Sequence, residues 1–306
     1  MRRIRHLVEY FFVRLFLFLL DSLPLSFCAR LAGGVADIVF RLHASRRRIA
    51  VENILSSGIT SDRHDAERMA RASFRHFARI VVESLKSDSY FKRHAWTERV
   101  DWQASPELQQ VLDDPSRGLI LACGHLGNWE IAAQLLSHRK PVVGITRAMN
   151  NPYVDRLMQA RKPRNRFELT PKHDANMTRL VSALQDGKVL AIMIDQHARD
   201  RGMMIDFFGR PAATHTAIAL LHLVTRTPIC FGTCVETAPM RFLFQASGPL
   251  RFERTGDKQQ DIRSILERLT RELETAIRAH PEQYMWGHRR WRDSSPASPA
   301  GARAAR

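Results

Sequence analysis

His125 and Glu130 stand five positions apart in His125-Leu126-Gly127-Asn128-Trp129-Glu130, directly after the apolar run Gly118-Leu119-Ile120-Leu121-Ala122-Cys123. The pattern predicts a strand that turns into a helix, with a histidine at the turn. Open α/β sheets bind their ligands outside the C-terminal ends of the strands, so the imidazole would stand on the working edge. Gly124 and Gly127 let the backbone bend sharply around it. The carboxylate would fall in the first turn of the helix, where the macrodipole and free N–H groups favour its ionised form. Glu130 is therefore expected to orient the imidazole rather than compete for its proton. Cys123 ends the apolar run and reads as a core thiol, although strand alternation puts it on the same side as His125. With no nucleophile beside the pair, the chemistry that fits is direct transfer. The histidine takes a proton from an acceptor hydroxyl, which attacks an activated carbonyl with no covalent enzyme intermediate.

Other residues fall at the same predicted edge. Arg147 follows the next β-rich run and could hold a phosphate or stabilise an oxyanion. Asn151-Pro152 fits a helix cap followed by a first-turn proline. Asp195-Gln196 ends the wholly apolar run Val189 to Ile194, at a place for site or scaffold residues. Phe207-Phe208-Gly209-Arg210-Pro211-Ala212-Ala213-Thr214 reads as a loop that either lines a hydrocarbon groove or covers the core. Trp286-Gly287-His288-Arg289-Arg290-Trp291-Arg292 interleaves cations with indoles, a pattern suited to nucleic acid or to a lipid headgroup layer.

Short β-rich runs must carry these residues: Leu119 to Cys123, Val142 to Thr146, Val189 to Ile194, Ile229 to Val235 and Arg241 to Ala246. Helical patterns alternate with them at Asn128 to Ser137, Pro152 to Ala160, Asn176 to Gln185 and His215 to Thr225, and a long helix follows from Gln260 to Ala279. Such alternation predicts an α/β fold with a mostly parallel sheet and helices on both faces. The last two strands are close enough to pair antiparallel. Three helical stretches precede the sheet, Leu25 to Leu42, Arg46 to Leu55 and Ala66 to Ser87.

The ends differ from this body. Arginines at positions 2, 3 and 5 precede an apolar stretch from Leu7 to Leu20, broken by Glu9 and Arg14 and stopped by Asp21 and Pro24. This is too interrupted for a plain membrane span, and no small-residue cleavage site follows it. It reads as a helix lying in, or tilted through, a cytoplasmic leaflet, with a buried core helix as the alternative. The predicted division is an anchor over 1–27, one α/β domain over 28–293 and a disordered tail over 294–306.

The chain has 306 residues, 44% of them apolar, enough to fill a sizeable core. Lys and Arg outnumber Asp and Glu by 47 to 31, a formal charge of +16 that calls for an acidic partner: nucleic acid, an anionic membrane or an acidic protein or substrate. The cysteines, Cys28, Cys123, Cys230 and Cys234, lie scattered in apolar stretches without adjacent ligand histidines, so neither disulfides nor a metal is expected.

Taken in order, His125-x4-Glu130, Arg147-x3-Asn151-Pro152, Asp195-Gln196, Phe207-Phe208-Gly209-x-Pro211-Ala212 and Pro281-Glu282-Gln283-Tyr284-Met285-Trp286-x-His288-Arg289-Arg290 resemble the late acyltransferases of lipid A biosynthesis, of the lauroyl/myristoyl transferase type. The stretch Arg46 to Ile54, with Asn53, is similar to an early segment of that family. The resemblance implies a glycerolipid-acyltransferase-like α/β fold with N-terminal membrane-associated helices, on the cytoplasmic face of a bacterial inner membrane. It implies transfer of a fatty acyl chain from acyl carrier protein, the co-substrate, to the hydroxyl of a 3-hydroxyacyl chain on a Kdo-bearing lipid A precursor, an anionic glycolipid. No cofactor, metal or nucleic acid is expected. His125 is implied as general base, Glu130 as its partner, and Arg147 as the group for an oxyanion or phosphate. Asn151, Asp195, Gln196, Arg289 and Arg290 are implied to bind the acceptor or shape the site. Asn150 stands where relatives commonly carry aspartate, so an ion pair from that position to Arg147 is not expected. Two rivals are an acyltransferase for another glycolipid or a lysophospholipid, and a non-catalytic basic protein binding membranes or nucleic acid.

Overall fold

Four helices open the chain in the computed structural model, which describes residues 2–91, 96–160, 167–199 and 202–291: α1 (Arg2–Ser22), α2 (Leu25–Leu42), α3 (Ala44–Ser56) and α4 (Arg63–Tyr90). Pro24 separates the first two, and the Asp62 carboxylate starts α4 by accepting the Asp65 N–H at 2.8 Å. Asp37 of α2 receives the guanidinium groups of both Arg71 and Arg75 of α4. Those hydrogen bonds hold the Asp37 carboxyl far below the usual carboxylate range. The α2–α4 pair is thereby fixed by charge as well as by packing.

The α/β body follows as β1 (Val100–Ala104), α5 (Pro106–Asp113), β2 (Leu119–Cys123), α6 (Trp129–Arg139), β3 (Val142–Thr146), α7 (Pro152–Ala160), β4 (Phe167–Pro171), α8 (Met177–Gln185) and β5 (Val189–Met193). It continues through β6 (Met203–Phe207), β7 (Arg210–Thr214), α9 (Ala217–Thr225), β8 (Ile229–Ala238), β9 (Arg241–Leu250) and α10 (Lys258–Ala279). Seven strands form one sheet in the order β1-β9-β8-β2-β5-β3-β4. Strands β8, β2, β5, β3 and β4 run parallel, β9 returns antiparallel to β8, and β1 runs parallel to β9. The mostly parallel sheet and the antiparallel final pair agree with the sequence pattern.

Alternation along β2 explains its unbroken apolar run. Ile120 and Ala122 enter one core cluster with Leu190, Leu266 and Leu269, while Leu119 and Leu121 enter another with Leu108, Ile131 and Leu135. Both faces are covered, so every position is apolar. Strands β1 and β4 and helix α5 were not evident in the sequence. The segment expected as a loop from Phe207 to Thr214 is instead part of a hairpin, β6 and β7, turned by Phe208 and Gly209 at φ of 54° and 71°. Two successive positive φ values match the right-handed twist of paired strands. Phe207 and Phe208 are buried, which resolves their two readings in favour of the core.

The N-terminal pair is apolar on its outer side. Phe11, Phe12 and Phe18 of α1 and Leu31, Ile38 and Leu42 of α2 are exposed, whereas Leu17 and Leu20 are buried with Cys28 and Val82. Among the described residues no helix is long and apolar enough to cross a membrane. The tail over 294–306 and Arg292 lie outside the described residues.

Candidate active site

The strand register builds the centre of the site. Cys123 of β2 pairs with Met193 of β5, so the chain two residues beyond each strand brings His125 beside Asp195. The Asp195 carboxylate accepts the His125 backbone N–H at 2.7 Å and lies 2.8 Å from Nδ1. An ionised carboxylate can only accept, so Nδ1 carries the proton and Nε2 keeps its lone pair. Burial would push the imidazole down. The charge and hydrogen bond of Asp195, joined by the charge of Glu130, outweigh it and raise the ring above its ordinary value. Burial likewise opposes ionisation of Asp195, but His125 and the more distant Arg290 pull its carboxyl down to about 2. The result is a neutral-to-cationic switch held against a fixed negative charge.

Glycine has a steric reason here. Gly127 takes φ of 62°, and a Cβ at that position would collide with the Cys234 carbonyl of β8. Gly127 N–H donates to the Gln283 carbonyl at 3.1 Å and Asn128 N–H to the Cys234 carbonyl at 2.7 Å. Met285 N–H donates to the His125 carbonyl at 3.0 Å. The C-terminal string is therefore the floor of the turn. It is clamped from α3, where Asn53 Nδ2 donates to the Trp286 and His288 carbonyls at 2.8 and 3.0 Å, and Arg46 to the Gly287 carbonyl at 2.9 Å. Two segments singled out at opposite ends of the chain meet as one scaffold.

The remaining site residues divide by position. Glu130 sits in the first turn of α6 and raises the ring's basicity through its charge, but the Nδ1 contact expected of it belongs to Asp195. Gln196 is exposed with its amide nitrogen 3.5 Å from Nε2. Arg147 is exposed just beyond β3 and makes no hydrogen bond or ion pair among the described residues. Arg289 is exposed as well. Asn151 and Arg290 are turned inward, into the scaffold. Asn151 is buried, starts α7 by accepting the Tyr153 N–H at 3.0 Å, and donates to the His6 carbonyl and Glu9 carboxylate of α1 at 2.8 and 2.9 Å. Its donors are spent within the protein, so it anchors α1. Arg290 is 3% exposed and donates to the Ala213 carbonyl and Thr214 hydroxyl, both at 2.6 Å, with its guanidinium over the Phe207 ring. It supports Asp195 electrostatically from within. Trp286 is 1% exposed, so the expected surface of alternating cations and indoles is not presented. Burial, with the Asp195 charge, pushes the Cys123 thiol up to about 12, consistent with a core thiol.

An apolar groove of about 890 Å³ runs between α1, α2 and α4, lined by Phe16, Leu31, Val35, Phe74, Ala78 and Met285 among others. Met285 is the residue whose N–H holds the His125 carbonyl. Trp129 lies edge-on to the His125 ring at 4.8 Å between centroids and 6.3 Å from the ring of Phe77, another groove residue. The base and the groove thus share a wall.

Sequence reading missed a buried polar group beneath the turn. Asn128 caps α6 by accepting the Ile131 N–H at 3.1 Å, and its Nδ2 donates to Glu83 of α4 at 3.0 Å. Glu236 of β8 is hydrogen-bonded to Glu83 and paired with Arg79 at 2.9 Å. Tyr284, also buried, lies close enough to Asp195 for that carboxylate's charge to help keep its phenol protonated. The signal was present: Ser73, His76, Ile80, Glu83 and Ser87 recur at three and four positions along α4, and all are buried. A stripe that faces the core yet is mostly polar marks an internal network.

A histidine held by a buried carboxylate at the C-terminal edge of a parallel sheet, on a turn braced by a residue of an apolar groove, is an arrangement suited to general-base chemistry. The comparison with known families is more specific: residues 1–293 match the bacterial lipid A biosynthesis acyltransferase model, and the chain belongs to that family of acyltransferases. It is similar to the lipid A biosynthesis lauroyltransferase of Escherichia coli, 22% identical over 300 residues, covering 93% of this chain and 91% of the relative. It is also similar to a lipid A biosynthesis acyltransferase of Haemophilus influenzae, 21% identical over 283 residues, covering 88% and 86%.

Proposed function

We propose that this acyltransferase moves a fatty acyl group from acyl carrier protein to the hydroxyl of a 3-hydroxyacyl chain on a Kdo-bearing lipid A precursor, at the cytoplasmic face of the inner membrane. The observation that carries the reading is the fixed tautomer of His125, which leaves Nε2 its lone pair, on a turn braced by Met285 of the apolar groove. Nε2 takes the proton of the acceptor hydroxyl as its oxygen attacks the thioester carbonyl carbon. The C–S bond then breaks, and the imidazolium returns the proton to the departing thiolate. Asp195 holds the ring throughout, and Glu130 adds negative charge that favours the transient imidazolium. The groove accommodates a hydrocarbon chain. Arg147 and Arg289 are assigned to the anionic groups of the acceptor or to the developing oxyanion, and the +16 charge favours an acidic carrier and a phosphorylated lipid. The exposed apolar sides of α1 and α2, flanked by Arg2, Arg3, Arg5 and Arg30, favour a protein embedded in the lipid interface.

The test is incubation of washed membranes containing the protein with a defined Kdo-lipid A precursor and a panel of acyl carrier protein thioesters, read by product mass. One added secondary acyl chain, absent with His125→Ala, is expected. Acylation only of a lysophospholipid or of a different glycolipid would replace the acceptor, and wild-type turnover by His125→Ala would remove the mechanism.

A further inference from the structure

Two carboxyl groups face each other in the interior beneath the base. Glu83 is 2% exposed, and the Glu236 side chain 7%. Two carboxylates in hydrogen-bonding contact cannot both be charged, so the pair shares a proton. Its location follows from the neighbours. Glu236 has the Arg79 guanidinium at 2.9 Å and His76 Nδ1 at 3.5 Å, and its backbone exchanges two hydrogen bonds of 2.9 Å with the Gln283 amide. Among the described residues Glu83 has no ion pair with a cation, and it faces Glu236, Cys234 and the Asn128 amide. The charge belongs on Glu236 and the proton on Glu83, which donates to Glu236.

That polarity propagates to the turn. With one Glu83 oxygen donating to Glu236, the other accepts from Asn128 Nδ2 at 3.0 Å. The Asn128 carbonyl oxygen is then directed to the Ile131 N–H at 3.1 Å and the Ser84 hydroxyl at 3.3 Å. Asn128 lies between His125 and Glu130 in the chain, and its side chain is the only cap of α6 among the described residues. The Gln283 that braces Glu236 also presents its carbonyl to Gly127 N–H. From both sides, the buried pair sets where the turn sits.

We propose that Glu83 and Glu236, joined by one shared proton, are positioning residues that hold the His125 turn in its working geometry through Asn128 and Gln283. The proposal rests on the acyl-transfer reading above for its kinetic readout. Titrating the shared proton would leave two facing anions, with the Arg79 guanidinium at 2.9 Å from Glu236 alone. Repulsion would then move α4 against β8 and loosen Asn128.

The experiment compares the full-length protein with Glu83→Gln, which mimics the protonated acid, and with Glu83→Ala, each measured for acyl transfer and thermal unfolding as functions of pH. Expected are wild-type transfer that falls above about pH 8, a Glu83→Gln variant that keeps neutral-pH turnover but lacks this fall, and a Glu83→Ala variant with kcat down about 10²-fold and KM little changed. In unfolding, the wild type loses stability as pH rises from the ordinary carboxyl range of 4.5 toward about 8, because the folded chain holds a proton that the unfolded chain releases. Glu83→Gln lacks that slope, and this arm needs neither substrate nor a folded alanine variant. Superimposable unfolding profiles for wild type and Glu83→Gln would overturn the shared proton. Unchanged kcat in Glu83→Ala, or equal losses in the Gln and Ala variants, would overturn the positioning role. A wild type inert toward every acceptor, yet with the unfolding difference intact, would count against the acyl-transfer reading and leave the proton-sharing pair supported.

Discussion

Asp195 grips His125 at two points, one carboxylate oxygen 2.7 Å from the backbone nitrogen and the other 2.8 Å from Nδ1. The first contact fixes where the residue sits and the second fixes which ring nitrogen bears the proton. Because both come from one side chain that is itself buried, the ring's position and its tautomer are set together.

Asp195→Asn separates these two effects. The amide oxygen can still accept one N–H, but a neutral group no longer favours the imidazolium that forms as the hydroxyl is deprotonated. A fall in kcat of about 10³–10⁴-fold is expected, the scale found when the carboxylate behind a catalytic imidazole is neutralised. Near-normal steady-state turnover would show that another group orients the base.

Glu130→Gln is expected to act differently. Its charge raises the His125 pKa from a distance, so its loss lowers that pKa while leaving the Asp195 contact in place. In the pH profile of kcat/KM, activity rises as the base becomes neutral, and this acidic limb should move to lower pH. Turnover should fall about 10²-fold as the imidazolium loses support. An unmoved limb would mean that the two groups are not coupled.

The groove makes a prediction about chain length. Ala78→Phe adds a ring to the groove that Phe74, Leu31 and Val35 also line, while His125 is not among its lining residues. Thioesters of long chains should lose kcat/KM by about tenfold or more while short ones are spared, each excluded methylene being worth about 0.8 kcal/mol. Equal effects on all chain lengths in a competition assay would place the donor chain elsewhere.

Stability should carry the signature of the dyad. Asp195 is lowered from 3.8 to about 2, so its contribution is present above pH 3.8 and is lost as pH falls toward 2, about 2 kcal/mol in all. His125 is raised above 6.5, so its contribution is complete below that pH and is lost as pH rises through the folded value. Chemical denaturation across this range should show both losses in wild type. Asp195→Asn should remove the acid one and reduce the other.

The local code of this chain was readable where local physics decides. Val142–Thr146, Leu119–Cys123, Pro152–Ala160 and Leu25–Leu42 were legible to the residue, because continuous apolar runs, caps and Pro24 set them by short-range rules. The five-residue strands β1 and β4 were not, since Asp101, Gln103 and Glu168 interrupt the apolar pattern at the sheet's margins. The same limit hid the hairpin, whose turn places Phe208 at a positive φ that phenylalanine rarely adopts.

By itself the sequence determined that a histidine would stand on a glycine-bent corner after a buried strand, with a carboxylate following in the helix and a basic, apolar-fronted chain around them. Only the tertiary structure decided which carboxylate holds the ring. Glu130 is near in sequence, but a helix start and a strand end point their side chains differently. Asp195, 70 residues away, arrives because β5 lies next to β2 in register. The order of parallel strands leaves no periodic trace in a single chain, and neither does the burial that turned Arg290 into a support while leaving Arg289 exposed. Those outcomes depend on long-range packing, where backbone hydrogen bonds and apolar burial choose neighbours that no local pattern names.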